Sequence, residues 1–173
     1  MKKNLLLLPI IIVSLLFCIL ACNNPSLPEA SEEVRAILVS SAMTSVLSII
    51  ENTPSSEFVE DNVYNGVGYS LEITNYEDDG SFSFTLTYID YNEDVADTVI
   101  SGTLDYSFDY LLEDVESYDF NGDLSITYNG STYSVIFSYT EIDDSDVGNT
   151  YDGYVKINGY KYSIDDFIWF RNS

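Results

Sequence analysis

Twenty-nine acidic side chains and no histidine bound the chemistry open to this chain. Without imidazole there is no Ser-His or Cys-His nucleophile, no His-ligated zinc and no commonest general base. Carboxylates remain. Paired Asp and Glu can do acid–base work on glycosides when burial raises one pKa, but here they crowd turn-like segments, where solvation is their ordinary role. The reading is therefore of a chain that is not an enzyme. Asp119-Phe120-Asn121-Gly122-Asp123 sets oxygen atoms at alternate positions, as calcium loops do, making Asp119, Asn121 and Asp123 candidate calcium ligands. It is not an EF-hand, because the sixth loop position is not glycine and the twelfth is Gly130 instead of a bidentate Glu. A second acidic run, Glu141-Ile142-Asp143-Asp144-Ser145-Asp146, could also gather oxygens around a cation. No other cofactor is expected.

The charge balance excludes one class of partner. Six Lys and Arg stand against twenty-nine Asp and Glu, a net charge of −23. Binding to phosphate backbones depends on cationic side chains displacing counterions, so nucleic acid is not a partner. The two cysteines, Cys18 and Cys22, both lie at the N-terminus and leave no thiol pair to bridge the rest of the chain. At about 150 residues beyond that N-terminus, one core can form without metal or disulfide. Fifteen Tyr and nine Phe, with the single Trp169, suit half-buried strand positions more than a dedicated aromatic site.

The N-terminus runs from a short basic start, Met1-Lys2-Lys3-Asn4, into the apolar stretch 5–20, then Ala21, Cys22 and polar Asn23-Asn24-Pro25-Ser26. The apolar core is short for a spanning helix and is followed at once by polar residues, the pattern of a cleaved secretory leader. Within it, Ile19-Leu20-Ala21-Cys22 resembles the lipobox of bacterial lipoproteins. The resemblance covers residues 1–22. It implies a signal peptide over residues 1–21 and a diacylglycerol thioether on Cys22, which becomes the new, acylated N-terminus. It also implies anchorage in a membrane of the cell envelope; Asn23 in place of Asp points, by analogy with enterobacterial sorting, to the outer membrane. Two or more fatty chains hold a protein stably, at about 0.8 kcal/mol per buried CH₂.

Residues 22–30, with Pro25 and Pro28, read as the lipidated cysteine and a tether, and 31–173 as one acidic β-rich domain. Ser31-Glu32-Glu33 supplies an N-cap and acids for the positive end of a helix. Val34, Ile37, Leu38, Ala42, Val46, Ile49 and Ile50 recur at helical spacing, which predicts an amphipathic helix from Ser31 to about Asn52, stopped by Thr53-Pro54.

From about Val67 onward the pattern alternates, with strands expected near 67–76, 81–91, 98–109 and 117–128. Asn-Gly at 65, 121, 129 and 158 and Asp-Gly at 79 and 152 supply turn signals. Two-residue loops at Asn129-Gly130 and Asn158-Gly159 would pair Ile126 with Tyr133 and Leu124 with Val135, and set Lys156 opposite Lys161. Such a like-charge pair calls for acidic side chains between its members. The echo Ser101-Gly-Thr-Leu, Asn121-Gly-Asp-Leu and Asp152-Gly-Tyr-Val reads as a repeated way of starting a strand. Asn92 to Asp97 and Glu141 to Asp146 read as acidic connections.

The fold class is therefore mainly β (α+β): an antiparallel meander or partly closed barrel of about seven strands, capped by one N-terminal amphipathic helix. Two functions fit. One is a membrane-anchored, non-catalytic binding or display domain engaging a protein partner. The other is a carrier of an apolar small molecule in a helix-capped half-barrel, for which an interior cavity would be the sign.

Overall fold

The computed structural model describes residues 27–59, 62–77, 80–93, 97–112 and 115–167. Residues 1–21, where a leader is expected, and Cys22, Asn23 and Trp169 lie outside the described residues. Among the described residues the chain is mostly β, with eight antiparallel strands in one open sheet and one N-terminal α-helix. Each strand pairs only with its neighbours in sequence, in the order β1 to β8, a pure meander.

Helix α1 spans Glu32–Asn52. The Ser31 hydroxyl accepts from the Val34 amide (3.3 Å), with Glu32 and Glu33 in the first turn. At the other end the Thr53 amide donates to the Ile49 carbonyl (3.0 Å) and its hydroxyl donates to the same oxygen (2.7 Å); Pro54 follows and cannot continue the helix. Buried positions Ala36, Leu38, Val39, Ser41, Ala42, Ser45, Val46 and Ile49 cover more than half of the helix circumference. A helix lying on a flat sheet buries a narrower stripe. This one sits in a concavity.

The strands are β1 Val63–Gly66, β2 Tyr69–Tyr76, β3 Phe82–Glu93, β4 Thr98–Leu112, β5 Val115–Tyr128, β6 Ser131–Asp144, β7 Thr150–Ile157 and β8 Tyr160–Ser163. Alternate residues face the helix, among them Leu71, Leu86, Tyr88, Ile100, Leu104, Leu124, Ile126, Val135, Val155 and Ile157, all buried. Leu38, Val39 and Val46 have no exposed surface, and each such side chain stabilises the fold by roughly 1.5–3 kcal/mol. By length and composition α1 could cross a membrane. Its burial among these strands makes it the core helix of the domain.

Both Asn-Gly hairpins have the expected register: Ile126 pairs with Tyr133, Leu124 with Val135, and Lys156 with Lys161. Asn129 and Asn158 take φ of 49° and 52°, and the glycines after them are also left-handed. The strand count is eight because β1 precedes the expected start. Asn65-Gly66 belongs to that strand, and its turn falls two residues later, at Val67-Gly68.

Gly102, Gly122 and Gly153 do not begin strands; all three lie inside them, on the face toward the helix. A Cβ on Gly102 would stand 2.3 Å from the Asp123 carbonyl oxygen, and one on Gly153 at the same distance from that of Ser138. Neighbouring backbones close in where these side chains are missing, and the sheet bends there. A bulge between Tyr88 and Tyr91 adds a residue to β3, with Asp90 at φ 53°, so that both tyrosines face inward, ring centroids 5.6 Å apart.

Candidate functional site

The convex face of the sheet is a lattice of hydroxyls and carboxylates. Thr74 and Ser83 share a hydrogen bond (2.9 Å), and Thr85 donates to Asp105 (2.6 Å). Asp119 accepts from Ser107 on one side (3.3 Å) and from Thr140 on the other. Asp119, Asn121 and Asp123 occupy successive outward positions of β5. The strand repeat spaces them about 6.7 Å apart in a row, whereas a calcium loop curls its oxygens around one point. Among the described residues, no group of three or more His, Cys, Asp or Glu is placed to hold a metal ion.

The run Glu141 to Asp146 is mostly not a loop, because β6 continues to Asp144. Glu141 turns inward, 1% exposed, and accepts from Asn149 Nδ2 (2.8 Å). Asp144 caps the following turn, accepting from the amides of Asp146 (2.8 Å) and Val147 (3.1 Å). Glu141 is the one buried carboxylate among the described residues. Glycoside hydrolysis needs two in one cleft, about 5–10 Å apart.

Glu141 opens onto a groove of about 160 Å³ between α1 and the sheet. Met43 and Leu47 of the helix form one wall, and Phe120, Tyr139 and Tyr151 the other, with Ile164 and Phe167 at the end. No basic side chain lines it. Its size matches an engineered cavity of about 150 Å³ that accepts benzene; pockets for drug-sized ligands run to about 300–1,000 Å³.

Aromatic rings fill the concave face beyond the groove. Phe84 stacks on Tyr106 (4.9 Å), Tyr106 meets Phe120 edge-on (4.9 Å), and Phe120 stacks on Tyr139 (4.8 Å). These tyrosines pack within the sheet's core.

No family model, curated protein or solved structure matches this chain. The site must be read from its own chemistry.

The three described basic residues lie at the β7–β8 hairpin, Arg35 over Tyr162 on its inward face and the two lysines on its outward face. Lys156 and Lys161 both lie over the Tyr154 ring, with ammonium-to-centroid distances of 5.2 and 4.2 Å. The expected acidic side chain between them is absent among the described residues; the ring takes its place, its negative π-face meeting both cations. Arg35 pairs with Glu29 (3.2 Å) and lies over the Tyr162 ring (4.4 Å), while the Tyr162 hydroxyl donates to the same Glu29 oxygen (3.0 Å). Asn158 Nδ2 donates to the Pro28 carbonyl (3.3 Å), and Ala30 is buried. Residues 28–30, expected to be tether, are thus docked against the β7–β8 hairpin. No pattern in the sequence announces this, because its partners lie 130 residues apart.

Proposed function

We propose that this chain is a lipoprotein of the cell envelope, anchored through diacylated Cys22, whose folded domain is a non-catalytic binding module. The observation that carries the reading of the domain is the filling of the sheet's concave side by α1. A carrier keeps that space for its cargo. Here Leu38, Val39 and Val46 occupy it with no exposed surface, and what remains beside α1 among the described residues is the apolar groove of about 160 Å³ and a polar recess of about 320 Å³ lined by Glu32, Arg35, Tyr162 and Asp166. The surfaces left for recognition are the convex lattice, the strand edges and the groove rim, all suited to a protein partner. The basic start, apolar core and lipobox support the anchor, and the outer membrane is the proposed address.

Native mass spectrometry of the detergent-extracted full chain tests the module against the carrier. The expected spectrum is the protein with its covalent lipid alone. A further stoichiometric mass of a few hundred daltons, lost on collisional activation, would replace the module with a carrier of an apolar ligand.

A further inference from the structure

The same contacts that dock residues 28–30 fix where the membrane lies, given the anchor proposed at Cys22. Only five steps of chain separate Cys22 from Leu27, at most about 18 Å when fully extended. Strands of fourteen residues, such as β5 and β6, are about 46 Å long. The tether is therefore short relative to the domain, and the part of the surface where it emerges must stay beside the bilayer.

That part is defined by the hairpin at Asn158-Gly159. Pro28 is held by Asn158, and Leu27, 51% exposed, borders a depression on the convex face with Ser125, Thr132 and Ser134. Lys156 and Lys161 lie on the same convex face beside the hairpin turn, and Tyr160 is exposed next to Gly159. Two of the few cations in a strongly acidic chain thus stand where the anchor leaves the domain. Acids stand at both ends of the meander: Glu77, Asp109, Glu116, Asp143, Asp144 and Asp146 lie near the turns of the opposite one, while at this one Asp97 follows the β3–β4 turn and Asp123 lines the depression with Leu27, so the lysines are what sets this end apart.

We propose that the β7–β8 hairpin is a membrane-resting surface, with Lys156 and Lys161 against lipid phosphates and Leu27 and Tyr160 at the headgroup level. The groove and the acids of the opposite end then point away from the bilayer. A Lys near an anionic surface is drawn to it, and an amphipathic ring suits the boundary. The rest of the chain is repelled by the same lipids, so the local cations set an orientation more than an affinity.

The test is made on the full, lipidated chain in nanodiscs of phosphatidylcholine, with and without phosphatidylglycerol, carrying a headgroup quencher. Cys18 leaves with the leader, so Tyr160→Cys and Ser145→Cys each supply a single thiol for a fluorophore. The expected result is loss of most fluorescence at position 160 and its retention at 145. Lys156→Glu with Lys161→Glu should restore fluorescence at 160 on the anionic discs and leave it unchanged on the neutral ones. Equal or reversed quenching in a chain that stays with the discs overturns the orientation alone. A chain that does not stay with the discs overturns the anchor, and this surface with it.

Discussion

Ser45 and Tyr88 show how one polar contact fits inside an apolar core. Ser45 is fully buried, its hydroxyl donates to the Ala42 carbonyl (2.7 Å), and it meets the Tyr88 hydroxyl at 2.8 Å. Ser45→Ala removes both of these contacts and should destabilise by about 1–3 kcal/mol in urea titrations. Tyr88→Phe leaves Ser45 its bond to Ala42 and should cost less, and the double variant should lose less than the sum. Additive losses would mean that the two groups do not act as a pair.

Two other phenols give the domain an alkaline limit. Burial, and then the neighbouring Tyr64, raise the pKa of Tyr69 above its ordinary value. Burial is also the main cause at Tyr162, where Glu29 adds to the rise and Arg35 opposes it. A phenol whose pKa is raised by folding favours the fold while it is neutral. Its contribution is complete below about pH 10, the unfolded value, and is lost as pH climbs through the folded one. The melting temperature should therefore fall above about pH 10, and less steeply in Tyr69→Phe with Tyr162→Phe. At Tyr154, Tyr154→Ala removes the ring that two lysines share and should cost about 1–2 kcal/mol. Tyr154→Phe keeps a π-face and should be near neutral by the same titration.

Among elements, the glycines separate into those that turn the chain and those that bend the sheet. Gly130 has open space where a Cβ would go, so Gly130→Ala costs only its left-handed backbone, about 1–2 kcal/mol. At Gly102 the same change adds a collision with the Asp123 carbonyl to an unfavourable φ of 124°. Gly102→Ala should lower the denaturation midpoint far more than Gly130→Ala, and a smaller effect would mean that the sheet does not depend on that close approach.

This contrast also marks what local chemistry can announce. The helix, its cap and both Asn-Gly hairpins with their registers were legible, because each rests on neighbours in sequence and one alternating pattern. Asn121-Gly122 and Asp152-Gly153 carry the same dipeptides yet sit inside strands, since the need for a missing side chain there comes from the adjacent strand. Strand β1 is four residues long and ends in its own Asn-Gly, which hides it in a turn signal. The groove was not legible at all. It draws on α1, β5, β6, β7 and residues 164–167, and no spacing links them.

Over the whole molecule, the arrangement is of a meander wrapped around its own N-terminal helix, with the segment before that helix pinned to the last hairpin. The helix closes the concave side and leaves the convex face outside. The pinned segment brings the proposed anchor to one end, next to the lysines, and leaves the β6–β7 turn with Asp144 and Asp146 at the other. Anchoring through Cys22 is the claim on which this placement rests. Intact and peptide-level mass spectrometry of the membrane-extracted protein tests it most directly. Residues 1–21 should be gone, and the new N-terminal peptide should begin at Cys22 with diacylglycerol on its sulfur. Cys22→Ser should release the chain from membranes. Retention of Met1, or a Cys22→Ser protein that matures and remains in the membrane as before, would contradict it.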